Sequence, residues 1–369
     1  MNIQVLKNDE KAIFEMRSLY RKYGYSQYKM SKFEEYDLYV RNKDFLVSDN
    51  IITFTDTDGK LMALKPDVTL SIIKNTTEGE GSVHKVYYDE NVYRVSKGTH
   101  SFKEIMQVGL ECIGAIDDYC IYEVVMLAAK SLENISESFV LDISHMGIVS
   151  GVLDSLEVSH EGRKQLVKCI GEKNIHGISA ICESEGVDGE ALKKLVSVYG
   201  NTEDVLSSLE SIGLDAANPD VGQLMQVVSA LEECGFKDKV RIDFSVISDT
   251  KYYNGFVFKG FIEGISESIL SGGQYDRLMH KVGKNCGAIG FAVYLDMLER
   301  LCMSENEYDV DTVILYDEGC KLSDIKNAVS MLTANGKTVM AQKAIPEKIK
   351  YKQLLKLNER GVEIIENNA

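Results

Sequence analysis

A carboxylate and a hydroxyl stand two residues apart in a short polar segment that contains one of the chain's three prolines. Pro66 forces Lys65 into an extended conformation, so we expect Asp67 and Thr69 at the end of a strand and on one face of it. The Asp67 carboxylate and the Thr69 hydroxyl could together bind an ammonium group. The alternative, and the commoner use of such residues, is a turn in which the Asp side chain bonds its own backbone.

A second polar pattern alternates along a predicted strand. Gln107, Gly109 and Glu111 fall on one face, whereas Val108 and Leu110 fall on the other. Gln and Glu are poor strand formers unless their side chains meet a partner. Spacing alone leaves a ligand-binding face and a solvated face equally open.

Two further segments combine aromatic residues with glycine. Tyr252-Tyr253-Asn254-Gly255 precedes an apolar run and is typical of a hairpin turn. Gly272-Gly273 permits close approach of a ligand to the backbone, although a plain turn is the simpler interpretation. Neither segment is a dinucleotide-binding or phosphate-binding glycine motif.

Composition narrows the classes of function. The chain has 369 residues with 44% hydrophobic and 27% charged content, which indicates a globular protein of two or three domains. Its 41 basic and 57 acidic residues give a net charge of −16, which disfavours nucleic-acid and anionic membrane surfaces. No apolar run is long enough to span a membrane, and no secretory signal is apparent. The eight cysteines and six histidines show no metal-ligand spacing, so we expect reduced thiols in the cytoplasm and no metal.

The order of predicted elements indicates an α+β fold. A helix from Asn8 is followed by two predicted hairpins, one around Asp58-Gly59 and a long one between Val83–Val95 and Glu104–Ile113. A helical block over about 147–235 then interrupts the strands. Strands return after that block, and Ala288–Phe291 is expected to enter a helix. The last 64 residues or so alternate strands and helices, including a predicted helix over 347–358, as in a small α/β unit.

Taken in order, these segments resemble the catalytic core of histidyl-tRNA synthetase, a class II synthetase, over roughly residues 5–302. The segments that carry the resemblance are Tyr23-Gly24-Tyr25, Leu64-Lys65-Pro66-Asp67-Val68-Thr69, Tyr93-Arg94, Gln107-Val108-Gly109-Leu110-Glu111, Tyr252 to Phe258, Ser271 to Asp276, and Ala288 to Ala292. The resemblance implies an antiparallel sheet with flanking helices and a helical insertion. It divides the chain into core residues 1–135, an insertion over 136–238, core residues 239–303, and a shortened anticodon-binding-like domain over 304–369.

The same resemblance implies a pocket for the amino acid histidine. Asp67 would balance the α-ammonium group and Glu111 would accept a hydrogen bond from the imidazole, while aromatic rings wall the pocket. The residues implied in histidine binding are Asp67, Thr69, Arg94, Gln107, Glu111, Tyr252 and Tyr253.

At three positions this sequence lacks a charged residue that the family uses for its chemistry with ATP. Ser248 and Met297 stand where the family has arginines, and Ser96 stands where it has an acidic residue. Losing one such phosphate-binding donor costs about 10²–10³ in rate. Arg94 alone remains, so the departures argue against an active synthetase.

A synthetase-like chain with a histidine pocket and no ATP chemistry resembles the regulatory subunit of ATP phosphoribosyltransferase. That family activates a short-form catalytic subunit in the first step of histidine biosynthesis and transmits feedback inhibition by L-histidine. The resemblance implies a homodimer within a larger hetero-oligomer, without a cofactor, tRNA or membrane. The alternatives are a divergent histidyl-tRNA synthetase and a histidine sensor with another partner.

Overall fold

The computed structural model describes residues 8–42, 51–76, 81–95, 101–247, 253–300, 308–358 and 361–368. The chain divides into two compact units, Met1–Arg300 and Leu301–Ala369. Within the described residues, no helix is both long and apolar enough to cross a membrane. The predicted boundaries of the helical insertion stay predictions.

The larger unit combines strands and helices throughout its length. Its strands are β1 (Ser26–Gln27), β2 (Phe33–Glu35), β3 (Thr53–Thr55), β4 (Leu61–Leu64), β5 (Val83–Val95), β6 (Phe102–Gly114), β7 (Phe139–His145), β8 (Tyr199–Gly200), β9 (Val240–Asp243), β10 (Phe256–Ile262), β11 (Leu270–Gln274) and β12 (Gly287–Tyr294). Its helices are α1 (Asn8–Lys22), α2 (Tyr36–Val40), α3 (Thr69–Asn75), α4 (Asp118–Glu133), α5 (Met146–Asp154), α6 (His160–Gly171), α7 (Ile175–Glu185), α8 (Glu190–Ser197), α9 (Thr202–Glu210), α10 (Pro219–Leu231) and α11 (Asp276–Lys281).

One nine-stranded sheet organises this unit, in the order β1-β5-β6-β12-β11-β10-β7-β9-β8. Its central strands are antiparallel, whereas β1 pairs with β5 and β7 pairs with β9 in parallel. The predicted long hairpin is confirmed, because β5 and β6 pair along their whole length. The predicted hairpin around Asp58-Gly59 is also confirmed, and β2, β4 and β3 form a separate three-stranded sheet.

Each face of the large sheet is covered by apolar side chains. On one face Val108, Leu110 and Cys112 of β6 pack in a core with the buried side of α4. On the other face Val92 and Ile113 belong to a second core formed with residues of α3 and α11. The polar residues of β6 therefore lie between the sheet and a cover of helices.

Four of the six helices α5–α10 between β7 and β9 begin at side-chain caps. Ser159, Asn174, Asn201 and Asn218 each accept a hydrogen bond from a backbone N–H in the first turn of the helix that follows. These caps satisfy donors that have no partner inside the helix. The predicted helical block is thus present as α5–α10, which contribute their apolar faces to the same core as α4.

The smaller unit is a four-stranded sheet with one helix in its described residues. Its elements are β13 (Val310–Leu315), α12 (Leu322–Ala334), β14 (Val339–Gln342), β15 (Tyr351–Asn358) and β16 (Gly361–Asn367), and its strand order is β14-β13-β15-β16. The strands β14 and β15 run parallel to β13, which agrees with the predicted α/β character.

Two predicted helices are wrong. The segment predicted as a helix over 347–358 contains the strand β15, which pairs with β13 on one side and β16 on the other. Its short apolar run fits either structure by pattern, and ladder pairing on both sides decides for the strand. Likewise Ala288–Phe291 does not enter a helix, because β12 continues to Tyr294 before a 3₁₀ turn over Leu295–Arg300.

A buried carboxylate ties α4 to the sheet and gives a test of this packing. Glu123 of α4 accepts hydrogen bonds from Lys85 Nζ at 2.6 Å and from the Tyr25 hydroxyl at 3.2 Å. We expect Lys85→Met to lower the free energy of unfolding by about 2 kcal/mol, because it leaves that carboxylate without its cation. The double variant Lys85→Met/Glu123→Leu should recover most of the loss in urea denaturation. Equal losses in the single and double variants would contradict the assignment.

Candidate functional site

Gln107 and Glu111 of β6 and Tyr294 of β12 lie on the sheet face that α3 and α11 cover. In the strand register Gln107 stands opposite Tyr294, and Glu111 stands opposite Gly290. Gln107 and Glu111 are only 3% and 2% exposed, so the solvated alternative for this face is wrong. The Gln107 amide nitrogen has no hydrogen-bond partner among the described residues, which leaves a buried donor available to a ligand.

The polar segment after β4 lies over this face, but not as a strand end. Strand β4 stops at Leu64, and Thr69 is the first residue of α3. Asp67 Oδ1 accepts a hydrogen bond from the backbone N–H of Leu70 at 2.9 Å. The prediction that Asp67 and Thr69 share a strand face is therefore wrong, and the local backbone-bonding alternative describes Asp67. Helix α3 needs a first-turn acceptor, and Asp67 supplies it.

Glu111 joins the sheet to both segments that cover it. Its Oε1 accepts a hydrogen bond from Thr69 Oγ1 at 2.6 Å, and its Oε2 accepts one from the Tyr275 hydroxyl at 2.5 Å. A Cβ atom at position 290 would lie 1.8 Å from Glu111 Oε2, so Gly290 is required for the carboxyl group to fit. Burial raises the pKa of Glu111 to about 8, against the lowering effect of the two hydroxyl donors.

The walls of the site are tyrosines. Burial raises the pKa of Tyr88, Tyr253 and Tyr294, and the nearby Asp67 carboxyl adds to the rise in each case. These phenols stay neutral at physiological pH and act as hydrogen-bonding aromatic walls. Tyr88 also lies directly over Gly109, where a Cβ would be 2.5 Å from the phenol oxygen.

Arg94 supplies positive charge at the end of the site near Asp67. Its Nε donates to the carbonyl oxygen of Pro66 at 3.1 Å, and its side chain hydrogen-bonds the Tyr294 phenol. Burial raises the pKa of Asp67, and this is opposed by the backbone N–H of Leu70 and by the charge of Arg94. A neighbouring carboxylate and guanidinium complement the ammonium and carboxylate groups of a free amino acid.

The site contains most, but not all, of the predicted residues. Asp67, Thr69, Arg94, Gln107, Glu111 and Tyr253 surround one region, whereas Tyr252, Ser96 and Ser248 lie outside the described residues. Met297 packs against the hydrophobic core that contains α4. Sequence reasoning missed Tyr88, Tyr275 and Tyr294 as site residues. Tyr88 and Tyr294 lie on the two strands that flank β6. Strand alternation alone does not place them beside Gln107, because that also requires the register between the strands.

A separate cavity of about 790 Å³ lies beyond the Glu111 end of the site. Its lining includes His84, Asp276, His280 and Gly114 and none of the predicted histidine-binding residues. We locate the candidate site by its converging charged and buried polar groups rather than by this volume. In the described part of the chain, no three His, Cys, Asp or Glu side chains cluster as a metal site would require.

Comparison with known proteins agrees with this architecture. The family model of histidyl-tRNA synthetase matches residues 4–298. An ATP phosphoribosyltransferase regulatory subunit of Oceanobacillus iheyensis is 25% identical over 362 residues, covering 95% of this chain and 89% of that protein.

Two solved structures share the fold. One is an ATP phosphoribosyltransferase regulatory subunit/histidyl-tRNA synthetase from Bacillus halodurans, with a TM-score of 0.73, 22% identity, and coverage of 95% of this chain and 93% of that one. The other is from an ATP phosphoribosyl transferase (HisG:HisZ) complex of Thermotoga maritima, with a TM-score of 0.62 and 20% identity. It covers 80% of this chain and 97% of that one.

The buried carboxyl group of Glu111 predicts a pH-dependent stability. Because its folded pKa of about 8 lies above the value of an unfolded chain, the folded state holds its proton longer, and stability falls as pH rises from about 5 to about 8. Glu111→Gln removes this contribution and keeps a neutral side chain of the same shape. We expect the wild-type chain to lose about 3 kcal/mol more than the variant across that range in urea denaturation. Parallel pH profiles would contradict the buried, neutral carboxyl group.

Proposed function

Because the chain belongs to the histidyl-tRNA synthetase family, we propose that it is a regulatory subunit of ATP phosphoribosyltransferase and catalyses no reaction itself. The observation that carries the proposal is a buried site suited to an amino acid, in which Arg94 bonds the Pro66 carbonyl and the Tyr294 phenol. The relative from Oceanobacillus iheyensis is named ATP phosphoribosyltransferase regulatory subunit, which supports the assignment.

The ligand of the site is L-histidine. Glu111 has a carboxyl group with a pKa near that of an imidazole, so the two groups can share a proton in a charge-assisted hydrogen bond. Asp67 balances the α-ammonium group, and the Gln107 amide nitrogen, which has no partner among the described residues, gains an acceptor from the ligand. Tyr88 and Tyr253 provide neutral aromatic walls for the ring.

The same site is unsuited to activating an amino acid with ATP. A phosphate chain needs fixed cations, and Ser248 and Met297 offer none. Arg94 donates to the Pro66 carbonyl and bonds the Tyr294 phenol, and we assign its remaining donors to the α-carboxylate of the amino acid. We propose no cofactor, no metal and no tRNA for this chain.

Regulation would act through the contact between α3 and the sheet. The hydrogen bond from Thr69 to Glu111 joins the first turn of α3 to β6. A histidine side chain that bonds Glu111 competes with this contact, so ligand binding changes how the helix is held. The free energy that couples two binding sites in this way is typically 1–3 kcal/mol, which changes the affinity at one site by about 5–150-fold.

Reconstitution with the short-form catalytic subunit tests the role directly. The assay follows phosphoribosyl-ATP synthesis by that subunit with and without this chain. We expect synthesis to rise when the two proteins assemble into a hetero-oligomer, in which this chain is a homodimer. Unchanged synthesis would contradict the regulatory role, and histidine-dependent ATP–pyrophosphate exchange by the chain alone would favour a divergent synthetase.

Variants of the site separate activation from inhibition by histidine. We expect Glu111→Gln and Asp67→Asn to raise the histidine concentration for half-inhibition at least tenfold. The first removes the acid that shares a proton with the imidazole, and the second removes the charge that balances the α-ammonium group. The matched control is Glu104→Gln, which changes an exposed residue of the same strand. Equal inhibition of all three variants and the wild-type complex would show that histidine acts elsewhere.

A further inference from the structure

The end of the site next to Arg94 is closed by a side chain that the sequence analysis did not single out. Tyr294 is the last residue of β12 and stands opposite Gln107 in the register. The two preceding residues on its face, Gly290 and Ala292, are small. On this face the Glu111 carboxyl group lies over Gly290, Ala292 is small, and the phenol ring of Tyr294 is the next bulky group along β12.

The phenol is held in place by charged neighbours. It hydrogen-bonds the Arg94 side chain, and it lies within electrostatic range of Asp67 and Asp296. The same Arg94 donates to the Pro66 carbonyl, so strand β12, strand β5 and the segment before α3 meet at this guanidinium. A ring whose hydroxyl group is hydrogen-bonded to a guanidinium resists displacement by a ligand better than a mobile surface tyrosine would.

Charge fixes which end of the amino acid faces this ring. With the imidazole at Glu111 and the ammonium group at Asp67, the α-carboxylate meets Arg94, the guanidinium of the site. Any group joined to that carboxylate must extend past Arg94, into the position that the Tyr294 ring occupies. A free carboxylate needs no space there.

We propose that Tyr294 is a specificity-determining residue that restricts the site to free histidine and excludes histidine carrying a nucleotide on its carboxyl group. The inference rests on the proposed function, because it takes histidine as the ligand. It goes further because it assigns the preference for free histidine to the Tyr294 ring. This role is independent of the arginines that the family has at positions 248 and 297 and this chain lacks.

Calorimetric titration of the full chain tests this assignment with two ligands. One is L-histidine, and the other is 5′-O-[N-(L-histidyl)sulfamoyl]adenosine, a stable analogue of the adenylate that keeps a negative charge near the former carboxylate. We expect the wild-type chain to bind histidine and to bind the analogue at least 100-fold more weakly. Tyr294→Gly should bind the analogue at least tenfold more tightly than the wild-type chain does.

Tyr294→Phe is the matched control, since it keeps the ring and removes only the hydroxyl group. It should still exclude the analogue, which separates the space taken by the ring from its bond to Arg94. Tyr294→Ala provides a second opening variant in case glycine weakens the end of the strand, and thermal denaturation checks the fold of each variant.

The outcomes separate this inference from the proposed function. Wild-type binding of the analogue as tight as that of histidine, or equal exclusion by the folded Gly, Ala and Phe variants, would overturn the role of Tyr294 alone. A wild-type chain that binds neither ligand would overturn the histidine site and, with it, this inference.

Discussion

The arrangement of the site depends on one buried acid. Glu111 lies on a central strand, 2% exposed, with each carboxyl oxygen bonded to a hydroxyl from a different covering segment. A carboxyl group in such a place is tolerable because it can stay protonated, and burial raises its pKa to about 8. Gly290 is then required opposite it, and Thr69 and Tyr275 fix the start of α3 and the segment before α11. Removing the acid would thus alter both the ligand site and the cover.

One face of the large sheet packs in the hydrophobic core, and the other face carries the polar residues of the candidate site. The face toward α4 is an apolar core, and from Gln107 to Cys112 its residues alternate with those of the face that carries Gln107 and Glu111. Because a strand carries side chains alternately to each face, the core residues Val108 and Leu110 fix the positions of Gln107 and Glu111. Packing on one side thereby positions the buried polar groups on the other. A fold can therefore keep this core while the polar residues on the other face change with function.

Sequence alone predicts the local parts of this site and misses its long-range contacts. The hairpin β5–β6 and the shared face of Gln107 and Glu111 follow from alternation, which depends only on neighbouring residues. The bond between Tyr275 and Glu111 joins residues 164 positions apart, so no local pattern contains it. The pattern over Tyr351–Asn358 likewise lacks one decisive contact, since β15 pairs with β13, in which Val310 lies opposite Tyr351, although its other partner β16 follows it directly. Thr69 was misplaced because an Asp cap and a strand end share the same short polar signature.

The central claim is that a synthetase-like face has kept the amino-acid half of its site and lost the nucleotide half. The most direct measurement is a calorimetric titration of the isolated chain with L-histidine, performed without ATP and then with saturating magnesium-ATP. The account predicts one histidine bound per chain with the same dissociation constant in both titrations. A histidine affinity that appears only with ATP, or that rises tenfold when ATP is present, would contradict it, because the two ligands would then share a working synthetase site.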